Sequence, residues 1–402
     1  MIVLQLKVHL CSPNAMSKQR FLILSPINQY GGVNLDVGFI GSLLEQKHQV
    51  RVISLARYFD DASVFYFNAA LNYTSLDKLV YEISFPIRLL TSLVSRLKPL
   101  EAPNHHRVDN GLTRLPFVSL AKQRQRVLEK EIASCDRLIL CSQLTSNYMK
   151  AAIEVAHRLK VPVYFRTTGQ IKEHELTAEN AKWLSKVKTF IHHSEKNLKT
   201  IAHFLPEASH CLVDQNAYDE DRFLEIPLIE SAVKRFYAIS RLSPLKLTGQ
   251  IIQAFQELQD PMSELHIYGD GEEESLLKEQ AKDSANICFH GAIDFKDIHK
   301  AHAANDCLII ASTIEAGPYT GVEAMAAGRL IISSRVGAME TRLPDYPFFY
   351  DGTVADLKEK MRQVLAQEAS ENQRLTEALR QRYIKNYSEV AIGKKYVEIL
   401  EG

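Results

Sequence analysis

Residues 311–328 read Ala-Ser-Thr-Ile-Glu-Ala-Gly-Pro-Tyr-Thr-Gly-Val-Glu-Ala-Met-Ala-Ala-Gly, directly after the apolar run Cys307–Ile310. That run has the length and branching of a buried strand. Pro318 suits a first helical turn, where its missing N–H costs nothing, and Gly328 suits the end of a short helix. Glu315 and Glu323, with seven residues between them, therefore bracket a strand-to-helix turn. In an open α/β sheet, ligands bind where such turns leave the carboxyl ends of the strands. Gly317 and Gly321 would let a ligand approach the backbone. A lone pair of glutamates ordinarily decorates a wet surface. Here Val322, Ala324, Met325 and Ala327 make the helix apolar around Glu323, so that carboxylate is expected to be partly buried and to need a partner.

Around this stretch the second half of the chain alternates regularly. Strands are expected at 236–240, 265–268, 287–290, 307–310 and 330–333, with helices at 248–258, 272–281, 295–304 and 320–327. Such alternation marks a doubly wound parallel sheet. Arg241, Gly269, Gly291, Glu315 and Gly337 each follow a strand and so fall on one edge of that sheet, which makes the edge a candidate binding site. The loop from Arg241 to Lys246 ends at a helix start. Two cations there suit a diphosphate, Arg by bidentate contact and Lys as a compact charge. Taken alone, either is as readily ordinary surface charge. Glu323 is placed to accept hydrogen bonds from ribose hydroxyls, and Glu315 to hold sugar hydroxyls nearer the reacting carbon. The Gly269-Asp270-Gly271 turn lacks a third glycine at Glu274, and its acidic run would repel a pyrophosphate; it suits turn chemistry near a nucleotide base.

The first half opens with a strand at 21–25, the turn Tyr30-Gly31-Gly32-Val33, a helix at 34–46 and a strand at 49–55, a βαβ unit of parallel strands. Gly31 and Gly32 stand at a helix start that favours anions, although a tight turn would use the same residues. Strands follow at 136–141, 161–166, 190–193 and 211–213, with helices at 144–159 and 195–204, and 224–232 reads as a connector. Residues 58–130 are less regular, with dense aromatics at 65–73, an amphipathic pattern at 79–97, and His105-His106 expected to point apart in a loop. Between Pro86 and Lys130 stand nine Lys or Arg against three acids, suiting either an anionic acceptor or membrane surface or simply a solvated helix.

The 402 residues suffice for two domains, and a formal net charge of zero gives no general case for nucleic acid as partner. The six cysteines are scattered without a CxxC pair, as in a reducing, cytoplasmic setting, and no metal motif is present. Residues 1–15 make a poor signal peptide and read as an upstream extension.

In order and in register, these features resemble the family-4 retaining glycosyltransferases (glycosyl transferases group 1) of the GT-B fold. The spacing of Glu315 and Glu323 resembles their E-x7-E signature. Residues 216–223 resemble their N-G-V-D-x-x-x-F segment with Ala217 in place of glycine, and 241–246 their diphosphate-binding Arg and Lys segment. Gly31-Gly32 with His48-Gln49-Val50, Gly269 to Gly271, Phe289-His290-Gly291, and Gly337 with Glu340 follow the same order, and 387–400 is similar to a terminal helix that crosses back to the first domain.

The resemblance implies an α/β protein of two Rossmann-like domains facing across a cleft. These are an acceptor-side domain at 16–222, a nucleotide-sugar domain at 223–385 and a crossing helix at 386–402. It implies metal-independent transfer, with retention, of a hexosyl group from a UDP- or GDP-linked sugar to a glycan or lipid-linked hydroxyl in polysaccharide biosynthesis. The setting would be the cytoplasm, with peripheral contact at an anionic inner membrane face. Arg241, Lys246 and Glu315 would be catalytic. Gly31, Gly32, Gly269, Gly317, Tyr319, Thr320 and Glu323 would complete the donor site with the two cations. Two departures stand out: Glu315-Ala316-Gly317-Pro318 replaces the usual Glu-Gly-Phe-Gly, removing a backbone donor, and Thr168 occupies the place of a histidine near the donor sugar. Arg166 is a candidate substitute contact. A nucleotide-sugar epimerase of the same fold, a sugar phosphorylase and a non-catalytic carbohydrate- or partner-binding protein remain alternatives.

Overall fold

The computed structural model describes residues 18–29, 31–97 and 103–402. The leader at 1–15, Tyr30 of the glycine turn, and Lys98 and Glu101 of the basic segment lie outside the described residues. Two parallel sheets organise the rest. The first runs β3-β2-β1-β4-β5-β6-β7, built from β1 (Arg20–Ser25), β2 (Gln49–Ser54), β3 (Tyr73–Ser75), β4 (Arg137–Ser142), β5 (Val163–Thr167), β6 (Thr189–His192) and β7 (Ser209–Leu212). The second runs β10-β9-β8-β11-β12-β13, built from β8 (Arg235–Ile239), β9 (Glu264–Tyr268), β10 (Ile287–Gly291), β11 (Cys307–Ile310), β12 (Leu330–Ser334) and β13 (Phe349–Tyr350).

The central strands are apolar on both faces because helices cover both. All four residues of β11 are buried, and their neighbours Ile309 and Ile332 share a core cluster with Phe236 and Phe255, whereas Leu308 and Ile331 share another with Val322 and Met325. Full burial of one such side chain is worth about 1.5–3 kcal/mol relative to exposure. The paired strands therefore fix the sheet, and the sheet fixes its loops. Strand order reverses between β1 and β4 in one sheet and between β8 and β11 in the other. Each reversal opens a crevice at the carboxyl ends, the usual ligand position in open α/β sheets.

The chain's last helix, Glu389–Glu401, returns to the first sheet's domain. Ile392, Tyr396 and Leu400 share a core cluster with Phe21, Phe39 and Ile40. Glu220 Oε2 accepts from the Tyr383 hydroxyl at 2.6 Å and from the Glu389 backbone N–H at 2.9 Å, tying this crossing to the segment between the sheets.

Several expectations are corrected. The helix expected at 144–159 begins only at Met149. Thr145 donates its backbone N–H and hydroxyl to the buried Glu175 carboxylate, which holds the preceding turn. The amphipathic 79–97 pattern divides into the helices Leu76–Ile83 and Phe85–Leu97, with Ser84 extended between them. His105 and His106 do not point apart: they lie on the short 3₁₀ turn Asn104–Arg107 with ring centroids 4.6 Å apart, edge to face. Arg124, counted in the basic segment, is held by Asp77 through bonds of 2.7 and 2.8 Å and by Asp109 at 3.2 Å.

Candidate functional site

The two crevices share one cavity of about 670 Å³. Gly31, Gly32, Arg241, Lys246, Gly269, Glu315, Gly317, Tyr319, Thr320 and Glu323 all line it. Each is placed there by a strand end or a helix start. Gly31 has φ +147 and caps the helix Gly32–Glu45, whose first N–H groups lack helical partners by construction. Gly32 is glycine for a further reason. A Cβ at this position would sit 2.8 Å from the Tyr319 ring, so the two halves of the cleft touch here. Gly269 is equally constrained, since a Cβ would lie 1.8 Å from the Ser240 carbonyl oxygen at the end of the neighbouring strand.

Arg241 leaves β8 exposed to the cavity and forms no ion pair with another described residue. Lys246 ends a short 3₁₀ turn, and the following Leu247 takes a left-handed conformation, φ 53, before the helix Thr248–Leu258. The Thr313 backbone N–H donates to the Leu245 carbonyl at 3.0 Å, clamping this loop to the one that carries Glu315. Lys246 Nζ donates to Glu315 Oε1, so the expected phosphate contact and the expected sugar contact are paired with each other.

Glu323 lies inside the helix Tyr319–Ala326, preceded by Pro318 as its cap and followed by Gly328 at φ +60. Its carboxylate is 1% exposed, and its Oε2 has no hydrogen-bond partner. The nearest cation-forming group is His302, whose Nε2 lies 3.7 Å away. Burial lowers the His302 pKa, partly opposed by Glu323, while the Tyr237 hydroxyl and His302 Nδ1 are 2.6 Å apart. Glu323 Oε2 and His302 Nε2, both buried without another partner, thus face each other, while Glu323 as a whole lines the cavity, where a carboxylate is chemically suited to a ligand hydroxyl.

The first sheet contributes residues that the sequence reading did not single out: Asp36, Gly169, His193 and Gln215. Asp36 Oδ1 accepts from the Tyr319 hydroxyl at 2.7 Å. Burial and Asp36 together hold the Tyr319 pKa well above its ordinary value. His193, just past β6, is buried, and its Nδ1 is unpartnered. Burial, then Arg166 and Arg342, hold its pKa well below 6.5, so the ring is neutral. The signal that points to it is its position: a polar residue immediately after a buried strand of the sheet that ends at the cavity. Thr168 lines the same wall and donates its backbone N–H to the Ser142 carbonyl at 2.9 Å.

Arg166 does not reach the cavity. It is fully buried behind it, donates to the Val213 carbonyl, and places its Nε 3.5 Å from Asp36 Oδ2. A substitute donor contact is therefore excluded by burial, and Arg166 instead supports Asp36. Arg342 is a second buried cation. It donates to both Asp214 oxygens, at 2.6 and 3.0 Å, to Gln215 Oε1 at 3.2 Å and to the Pro318 carbonyl at 2.5 Å. One guanidinium thus fixes the segment after β7 to the turn that carries Glu315. A Cβ on Gly317 would sit 2.9 Å from Arg342 and 3.0 Å from Gln215.

Residues 219–382 match the model of the family described as glycosyl transferases group 1, a span that carries Arg241, Lys246, Glu315 and Glu323. Among curated proteins, none matches the sequence. By structure the chain is similar to Anabaena Alr3699/HepE in complex with UDP and glucose, with TM-score 0.69, 14% identity, and coverage of 95% of this chain and 99% of that one. It is also similar to a glycosyltransferase from Rickettsia africae, with TM-score 0.66, 17% identity, and coverage of 96% and 100%. A third likeness is to S. aureus TarM in complex with fondaparinux, α-GlcNAc-glycerol and UDP, with TM-score 0.67, 11% identity, and coverage of 96% and 100%. The architecture is the GT-B fold, as the sequence led us to expect.

Proposed function

We propose that this protein is a retaining, metal-independent glycosyltransferase of family 4 that moves a hexosyl group from a nucleotide-diphosphate sugar to a hydroxyl acceptor. The observation that carries the reading is the convergence of Arg241, Lys246, Glu315, Glu323 and the Gly31-Gly32 helix start on one cavity between two sheet reversals. A UDP-linked donor is favoured, since the HepE structures to which this chain is similar contain UDP and UDP-glucose.

In this reading the diphosphate lies between Arg241 and Lys246 on one side and the Gly31-Gly32 helix start on the other. Glu323 accepts from the ribose hydroxyls. Glu315, freed from Lys246 as the cation turns to phosphate, accepts from the sugar. The bond between the anomeric carbon and the β-phosphate oxygen breaks first, and positive charge develops on the sugar. The acceptor oxygen then bonds to the same face of that carbon, and its proton passes to the departing phosphate oxygen. Stabilising the leaving diphosphate in a closed cleft is the main electrostatic contribution. The acceptor, a glycan or a lipid-linked glycan, would enter from the first domain.

The test is a thermal-shift screen of UDP-, GDP- and ADP-sugars, followed by turnover assays with and without a hydroxyl acceptor. Turnover that requires an acceptor and retains the anomeric configuration supports the proposal. An epimerised donor without acceptor, dependence on free phosphate, or binding without turnover would each replace it with the corresponding rival.

A further inference from the structure

Among the described residues, seven of the fourteen large apolar side chains that are exposed fall between Ile83 and Phe117, and none of the seven lines the cavity. Four of them, Phe85, Leu89, Leu93 and Leu97, are spaced four apart on the helix Phe85–Leu97 and are 47–73% exposed. Residues spaced so lie in a stripe along one side of a helix. The opposite side is already used: Ile87 and Thr91 are buried, and Ile87 shares a core cluster with Leu79, Leu120 and Leu128. This helix is therefore apolar toward the core and apolar again toward the outside.

Its charges are one-sided. Arg88 and Arg96 are exposed, and no acid lies on the helix. On the helix Leu120–Ala133, Lys122 and Arg126 add exposed positive charge, whereas Arg124 is tied to Asp77 and Asp109. An apolar stripe flanked by arginines suits an anionic lipid interface, where the stripe enters the acyl boundary and the guanidinium groups meet headgroups. It suits a second copy of this chain poorly, because pairing two such faces would bring like charges together.

We infer that the helix Phe85–Leu97 is an interfacial element that lays Phe85, Leu89, Leu93 and Leu97 on an anionic membrane, with Arg88 and Arg96 on the headgroups. No helix among the described residues is long and apolar enough to cross a bilayer, so the contact is one of lying on the surface. The inference does not depend on the transfer reaction. Where that reaction holds, the surface brings the first domain to a lipid-borne acceptor.

The experiment is flotation of the full chain with vesicles of phosphatidylcholine alone and of phosphatidylcholine with phosphatidylglycerol, at low and high salt. The wild type should float with the anionic vesicles and lose part of that binding at high salt. Phe85→Ser/Leu89→Ser/Leu93→Ser should bind at least ten-fold more weakly, and Arg88→Gln/Arg96→Gln should lose the preference for anionic lipid. Both variants should keep the wild-type Tm, since the altered side chains are exposed. Absence of flotation at low salt, equal binding by the serine variant, or equal binding to neutral vesicles would overturn the inference. So would a wild-type dimer that the serine changes make monomeric, which would assign the stripe to self-association.

Discussion

The Tyr319 hydroxyl donates a 2.7 Å hydrogen bond to Asp36 Oδ1, joining the second domain's site helix to the first domain's opening helix. Asp36 is buried and Tyr319 half-buried, and Arg166 stands behind Asp36 at 3.5 Å. A hydrogen bond to a charged group contributes about 1.5–3 kcal/mol, more than a neutral one. Tyr319→Phe should therefore lower Tm by about 3 °C or more, given roughly 2–4 °C per kcal/mol for domains of this size. Scanning calorimetry checks this. An unchanged Tm would show that the two domains are held without this bond.

Arg241 and Lys246 line the cavity on the same loop, but their surroundings differ. Arg241 is exposed, whereas Lys246 is paired with Glu315. Replacing either with alanine should lower turnover at least about tenfold, equivalent to 1.4 kcal/mol of transition-state stabilisation. Arg241→Ala should do so without a change in Tm. Steady-state kinetics with the donor found by the nucleotide-sugar screen provides the measurement, and full activity in both variants would remove the diphosphate assignment.

Sequence patterns revealed the second domain because its strands are short apolar runs separated by complete helices. Cys307–Ile310 and Thr248–Leu258 have the limits that their patterns indicate. The donor-side residues were legible for the same reason, each following a strand. The opposing wall was not. Asp36 sits in the helix after the Gly31-Gly32 turn with no motif of its own, and the approach of Tyr319 from the other domain makes it part of the cleft. Arg166 illustrates the reverse error. Its place at a strand's end suggests a site residue, yet its side chain turns into the core toward Val213 and Tyr396. Side-chain direction and distant partners decide both cases, and neither has a local signature. Within the basic segment only Arg124 was misleading, because its acidic partner Asp77 lies nine residues before the window in which charges were counted, on another helix.

His193 should act as a neutral group. Burial and two nearby arginines hold its pKa well below 6.5, and the Cδ2 edge of its ring lies beside Gly317 at the cavity wall. A donor sugar that reaches this wall would pack against that edge of the ring. His193→Ala should raise the donor KM or lower kcat several-fold while changing UDP binding little, because the proposed nucleotide contacts at Arg241, Lys246, Glu323 and the Gly31-Gly32 helix start are all left in place. The pH profile of kcat/KM should show no inflection between about 6 and 8 that the alanine variant abolishes, since an unperturbed histidine titrates near 6.5. An inflection of that kind would mean that the ring gains its proton in the working range and serves as an acid or base.

Glu389 begins the helix that crosses back to the first domain, and its side chain lies among carboxylates. Burial first, then Glu220, Asp221 and Asp219, raise its pKa from 4.5 to about 7. The folded state thus holds this proton more tightly than the unfolded chain does. Below about pH 4.5 the carboxyl is protonated in both states and imposes no electrostatic cost. As the pH rises toward 7 the unfolded chain releases the proton first, and the fold loses stability until the folded group also ionises. Glu389→Gln removes that loss while keeping the backbone N–H that donates to Glu220. The variant should therefore melt at least ~2 °C above the wild type at pH 8, with a gain that shrinks toward zero near pH 4.5. Melting curves of both proteins across that range provide the check, and a gain independent of pH would mean that the carboxylate cluster does not oppose the crossing.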